Sequence, residues 1–172
     1  LELTTGKIVW HKNLEREYGP APLFFGRGSC PLVYGETLIV NVGGEICVGA
    51  FQKRTGELVW KTEHPWHASY ASPVPATFHG RKRILVFAGG MTDPPTGGLL
   101  SIDPSNGKID DAVPWRARMF ASVNASSPVA VGNAAFVTES YTEGGALVDF
   151  TADGKAKLRW KARRFASQFT TP

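Results

Sequence analysis

The sequence predicts an all-β chain. It reads as a β-propeller of four-stranded antiparallel blades, present as a partial ring of about three and a half blades. Two repeated motifs and one patterning signal predict it. A Gly turn followed by Trp recurs as Thr5-Gly6-Lys7-Ile8-Val9-Trp10 and Thr55-Gly56-Glu57-Leu58-Val59-Trp60. It recurs again as Asn106-Gly107-Lys108-Ile109 with Trp115 after it, and as Asp153-Gly154-Lys155 with Trp160 after it. The glycines lie 50, 51 and 47 residues apart, a period that marks stacked supersecondary units. A small residue before proline keeps the same order, as Cys30-Pro31, Ser72-Pro73, Ser127-Pro128 and Thr171-Pro172. Between the motifs lie short apolar runs broken by Gly and Pro, and no amphipathic stretch of helical period survives them.

Each element follows from its residue types. Residues 1–14 read as the end of one blade, 29–62, 71–117 and 126–162 as three further blades, and 169–172 as the start of another. Proline opens each first strand, a position that need not donate to the ladder. Hairpins are expected at Gly35-Glu36, near Gly80 and at Gly132-Asn133, with Gly suited to the first central position of a type II′ turn. Third strands are expected at Cys47 to Phe51, Leu99 to Asp103 and Ala146 to Phe150. Gly6, Gly56, Gly107 and Gly154 supply positive φ in tight turns. The tryptophan that follows each turn offers a broad surface for docking on a neighbouring blade.

These residues resemble the pyrroloquinoline-quinone (PQQ)-like repeat of the quinoprotein-alcohol-dehydrogenase-like superfamily. Its docking motif is Ala-x-Asp-x-x-x-Gly-x-x-x-Trp. Ala50, Gly56 and Trp60 match it, with Gln52 at the Asp position; Ser101, Asp103 and Gly107 match it, with Asp111 at the Trp position. Glu2, Gly6 and Trp10 fit the first copy, and in the last copy Phe150 replaces Asp and Trp160 falls two residues late. The resemblance covers essentially the whole chain. It implies a PQQ-like propeller and leaves function open, because the same blades serve enzymes and scaffolds.

Propellers close with roughly four to eight blades, so the chain reads as an arc of a larger ring, completed by remaining blades of the same propeller. Two copies completing one ring is the alternative. No apolar run approaches the ~18 residues of a membrane span. The 19 basic against 15 acidic residues give a net charge of +4, too mild to argue for nucleic acid. Arg116, Arg118, Arg159, Lys161, Arg163 and Arg164 read as a solvated face. Cys30 and Cys47 read as buried free thiols, Cys30 filling the slot of Ser72 and Ser127.

His64 and His67 have metal-pair spacing, but no further ligand has matching spacing; the reading is a loop whose Trp66 caps a blade edge, with no metal. Asp110-Asp111 reads as an exposed pair. Asn124-Ala125-Ser126 is a glycosylation sequon at a strand start. Nothing marks a catalytic residue. If the ring binds something, the loops leading from one blade to the next are where it does so, at the channel mouth. They carry Trp66, His67, Tyr70, Arg116, Arg118, Asn124, Phe165 and Gln168, and aromatic and Arg side chains dominate binding hot spots.

Two functions are carried forward. One is a non-catalytic scaffold or protein-binding platform without a cofactor, of the outer-membrane assembly propeller lipoprotein type. The other is a segment of a PQQ- and Ca²⁺-dependent alcohol or sugar dehydrogenase; the adjacent cysteine pair often found there is missing from this chain. The resemblance implies a protein partner and a periplasmic or secreted location.

Overall fold

The computed structural model describes residues 1–120, 122 and 124–172. One short helix, α1 (Leu14–Tyr18), precedes three four-stranded antiparallel sheets, each built from consecutive strands in chain order. The first blade holds β1 (Leu32–Tyr34), β2 (Thr37–Asn41), β3 (Val48–Gln52) and β4 (Leu58–Thr62). The second holds β5 (Val74–Phe78), β6 (Arg81–Ala88), β7 (Gly98–Ile102) and β8 (Ile109–Pro114). The third holds β9 (Val129–Val131), β10 (Ala134–Glu139), β11 (Gly144–Phe150) and β12 (Ala156–Ala162). This is a partial β-propeller. The connections between blades, and the β2–β3, β6–β7 and β10–β11 loops, lie at one end of the sheets, here the mouth end. The hairpins and the Gly turns lie at the other.

Blades pack face to face because alternate residues of each strand are apolar. Ile39, Val48 and Ala50 of the first blade meet Ile84, Val86, Leu100 and Ile102 of the second in one core. Leu85, Phe87 and Leu99 on the second blade's other face meet Val137, Ala146 and Val148 of the third. The N-terminal segment covers the first blade's outer face, with Leu14 and Tyr18 against Val42, Ile46 and Phe51.

The Gly turn repeats in its hydrogen bonds. Gly56 N–H donates to Gln52 O and Gln52 N–H to Glu57 O; Gly107 and Asp103 repeat the pair, and so do Gly154 and Thr151. Residues 2–7 form the same turn, through Gly6 N–H to Glu2 O and Glu2 N–H to Lys7 O, without a strand on either side. Asp103 adds a cap, its Oδ1 accepting the Ser105 N–H at 2.9 Å.

Each docking indole lies flat on the glycine of the next turn. A Cβ on Gly107 would lie 2.5 Å from the Trp60 ring, and one on Gly56 would lie 2.7 Å from the Trp10 ring. Trp60 Nε1–H donates to Pro104 O at 2.9 Å, and Trp10 Nε1–H to Lys53 O at 3.0 Å. Both carbonyls belong to the second residue of their turn. Register places the ring. Ala50 pairs with Trp60 just before a bulge, and Leu147 pairs with Trp160 in the same way. Trp160, two residues late in sequence, is therefore Trp60's equivalent.

Three expectations are corrected here. In the second blade the equivalent of Trp60 is Asp111, which pairs with Ser101 before the bulge. Trp115 lies beyond β8, buried in the core and stacked with Phe87 at 5.9 Å, so it is not the docking indole. Asp110 and Asp111 are not a solvated pair. Asp110 binds Arg83, and Asp111 Oδ2 accepts the Ala156 N–H of the third blade at 2.8 Å. Arg81 Nη1 donates to Ala152 O at 3.2 Å, the carbonyl an indole would otherwise use. Phe78 stacks on Phe150 at 4.2 Å across the same seam. Finally, Cys30 is exposed, whereas Cys47 is buried and burial pushes its thiol up to about 12.

The hairpins also separate by type. Gly35 and Gly132 have positive φ at the first central position, as type II′ requires. In β5–β6 both His79 and Gly80 have positive φ, as in type I′.

Two outcomes follow from this packing. Trp60→Ala lowers unfolding free energy by about 3–5 kcal/mol, the range for a buried aromatic, and Gly107→Val is similarly severe because it fills the hollow at positive φ. In urea titrations the double variant loses much less than the two single losses added, since both break one contact; full additivity would refute the docking. In the second, a thiol reagent labels Cys30 in the native chain and reaches Cys47 only on unfolding.

Candidate functional site

A ladder of hydroxyls pins the blades at the mouth end. The Ser72 Oγ accepts the Cys30 N–H at 2.9 Å, and the Ser127 Oγ accepts the Ser72 N–H at 3.0 Å. Cys30 and Ser72, each before a strand-opening proline, thus reach their counterparts in the next blade. The Ser126 Oγ donates to Thr170 O at 2.8 Å. Tyr70 and Ala71 N–H both donate to Asn124 O, at 3.0 and 2.9 Å. Indoles on Gly56 and Gly107, or Arg81 and Asp111 at the last seam, hold the turn end, and hydroxyls hold the mouth end.

The expected site residues divide on this frame. Trp66 is buried: it joins the core between the first two blades, and a Cβ on Gly98 would meet its ring at 2.9 Å. Trp115 is its counterpart. The pairs Pro65-Trp66-His67-Ala68 and Pro114-Trp115-Arg116-Ala117 form a third repeat, a readable signal that the Gly-turn spacing had obscured. Trp66 is therefore structural rather than a contact residue. His64 Nδ1 accepts the Trp66 N–H at 3.3 Å and its ring packs edge-on to the indole. Burial pushes the His64 imidazole below its usual range. His67 is half-buried, with Gly89 N–H on its carbonyl.

Arg116 is buried and committed. Its Nε donates to Ser122 Oγ at 3.1 Å, Nη2 to Ser122 O at 3.2 Å and Nη1 to Thr96 O at 2.8 Å. It leaves the solvated face to Arg118, Arg159, Lys161, Arg163 and Arg164, which are exposed. Asn124 is 2% exposed, too deep to serve as a glycan acceptor in the folded chain. Gln168 Nε2 donates to the Tyr141 hydroxyl at 2.8 Å. Phe165 packs edge-on against Phe136 and beneath the Arg164 guanidinium.

Sequence reasoning missed Glu139. It lies at the mouth end of β10, 1% exposed. Its Oε2 accepts the Ala117 N–H at 2.9 Å, while Oε1 has no partner among the described residues. Burial pushes this carboxyl above the usual carboxylate range, against the opposing pull of the Ala117 N–H, the Ser122 hydroxyl and the Arg116 charge. An alternating strand shows which face a residue occupies but not that it stands beside a neighbouring loop.

What projects from the mouth end is apolar. Phe24 and Phe25 are 71% and 69% exposed, Met119 and Phe120 are each 51%, and Phe169 is 73%. They sit on the loops entering β1 and β9 and on the segment after β12. Phe24 and Phe25 meet edge-on, and Phe25 leans on Tyr70, whose hydroxyl accepts the Phe25 N–H at 3.0 Å. A shallow hollow at the hairpin end is lined by Tyr34, Pro75, Thr77, Lys82 and Ala130. No group of three or more metal-ligating side chains occurs among the described residues.

Glu139 yields a signed prediction. Its folded-state proton affinity exceeds that of the unfolded chain, so the folded state holds more protons between the two pKa values and stability falls as pH rises through that window. Glu139→Gln should therefore raise Tm at pH 7 by about 2–4 °C, the shift that ~1 kcal/mol gives at this size. The gain should vanish near pH 4. A melting series in which the gain is independent of pH would sink this.

The family model described as outer membrane protein assembly factor BamB matches residues 1–172. No curated protein matches. Among solved structures, the crystal structure of BamB from Moraxella catarrhalis aligns with a TM-score of 0.49 and 17% identity, over 77% of this chain and 36% of that one. The chain thus spans little more than a third of that protein's length.

Proposed function

The chain belongs to the outer membrane protein assembly factor BamB family, and from that premise we propose that it is a non-catalytic scaffold that binds a protein partner at its mouth end. The observation that carries this is the rim of Phe24, Phe25, Met119 and Phe120. These large side chains are exposed on loops whose bases are fixed by the hydroxyl ladder. Exposed apolar groups on a rigid frame are what a protein interface buries, and aromatic residues and Met are enriched there. Arg118, Arg163 and Arg164 surround the rim with positive charge, which favours encounter with an acidic surface.

The reading assigns no cofactor. PQQ and Ca²⁺ belong to the dehydrogenase alternative. No helix among the described residues is long and apolar enough to cross a membrane. Family membership supports action in the periplasm or beyond it, with other blades of the same propeller beside these three.

A photo-crosslinking side chain at position 24 or 120 should yield discrete protein adducts in the producing cell, and the same side chain at exposed Val59 on β4 should yield none. The Phe24→Ser/Phe120→Ser double variant should keep its Tm, as surface changes do, while retention of the crosslinked partner falls about tenfold or more. Equal adducts from all three positions, or unchanged retention, would count against the rim. Titrating PQQ with Ca²⁺ into the protein should leave the quinone spectrum unchanged; a saturable shift would revive the dehydrogenase.

A further inference from the structure

A groove of about 410 Å³ opens at the mouth end of the seam between the second and third blades, on the side of the outermost strands β8 and β12. Pro95, Pro114, Leu158 and the edges of Trp66 and Trp115 form its apolar lining. One wall is the end of the β6–β7 loop. That loop, residues 89–97, is longer than its counterparts 42–47 and 140–143, and its end is fixed. The Thr96 N–H donates to Thr92 Oγ1 at 2.8 Å, Arg116 Nη1 to Thr96 O at 2.8 Å and the Trp115 N–H to Gly97 O at 3.2 Å. The other wall is β12, where Leu158 pairs with Val148 and Lys161 with Ala146, on the face turned toward the second blade. A groove fixed before binding loses little entropy when an occupant enters.

The charges around the groove are uneven. Arg118 and Lys161 line it, are exposed, and enter no ion pair among the described residues. Arg159, on the same strand as Lys161, is by contrast held by Asp149. Arg116 is spent on Ser122 and Thr96. Among the described residues one carboxylate lines the groove, Glu143, half-buried at the entry to β11. Two uncommitted cations against one carboxylate, beside an apolar lining, complement a chain that carries carboxylates next to an apolar side chain. One exposed ion pair contributes little, so selection needs both cations together with the apolar contact.

We propose that this groove takes an extended, acidic segment of a protein partner, its carboxylates on Arg118 and Lys161 and an apolar side chain between them against Pro114 and Leu158. The inference rests on the protein-binding reading above and adds a second contact to the aromatic rim. Arg118 immediately precedes Met119 and Phe120, so a partner seated on the rim reaches the groove without leaving the loop that enters β9.

Two blocked tetrapeptides test it on the whole chain by two-dimensional NMR, following the amides of residues 158–161 and the Trp115 indole N–H. One has glutamates flanking Pro-Leu, and the other has glutamines in their place. The glutamate peptide should give a saturable shift, and the glutamine peptide should bind about tenfold more weakly. Arg118→Gln/Lys161→Gln should weaken the glutamate peptide about tenfold without moving Tm. Arg163→Gln/Arg164→Gln removes the same charge outside the groove and should change its affinity by less than about twofold, since screened charges at a distance act weakly. Glu143→Gln removes the one repelling carboxylate and should tighten binding. No saturable shift, equal binding of the two peptides, equal losses in the two double variants, or weaker binding by Glu143→Gln overturns the proposal. In the producing cell, a photo-crosslinking side chain at position 158 should capture the partner that positions 24 and 120 capture. Adducts from 24 and 120 with none from 158 would sink this inference and leave the rim reading intact.

Discussion

An indole lying on a glycine organises this molecule. The ring needs a hollow that no Cβ fills, and the turn supplies it because Gly56 and Gly107 sit at positive φ. The ring also needs an acceptor for its N–H, and the turn supplies that from a main-chain carbonyl. Both features belong to the backbone, so the receiving half of the contact survives changes of side chain. That explains the seam between the second and third blades. There the donor position holds Asp111, and Arg81 reaches the same carbonyl on Ala152. The flat apolar area lost with the ring is restored elsewhere, by Phe78 stacked on Phe150.

The second pin, at the mouth end, explains why loops can vary without loosening the ring. Ser72 and Ser127 each accept the N–H of the residue one blade earlier, so the first residues of every inner strand are fixed before the loop begins. Connections of unequal length can then be carried at small entropic cost. Part of each loop turns inward to fill the seam, as Trp66 and Trp115 do, and part projects, as Phe24 and Phe120 do.

The fold was legible because Gly, Pro and Trp each carry a narrow conformational or packing meaning, and they recur in one order. The site was less so. Chain spacing alone pointed to Trp115 as a docking indole, because nothing local shows that a bulge between Ser101 and Ile102 assigns that role to residue 111. Pairing the two Pro-Trp-x-Ala segments would have shown it. The Asp110 partners, Arg81 and Arg83, lie a whole hairpin away and become neighbours only when the sheet forms. The loops were placed correctly at one end, but sequence could not separate a committed cation such as Arg116 from an exposed one such as Arg118. Exposure there depends on which carbonyls the folded loops present.

Buried polar atoms without partners among the described residues occur at both ends of the sheets, more of them at the mouth end. Asn41, His67, Asn124 and Glu139 all stand there with buried atoms lacking partners among the described residues. The seam on the turn side holds two arginines and three aspartates; its carboxylates are engaged in ion pairs or with main-chain N–H groups, while Arg83 Nη2 and Ser101 Oγ are buried without partners among the described residues. A chain selected only to close a ring would fill such positions with apolar side chains, because each half-paired group lowers stability. Keeping them costs least where the surrounding cores already hold the wedges, and it places hydrogen-bonding capacity directly beneath the exposed aromatic rim. Stability is carried by the indole and aliphatic seams.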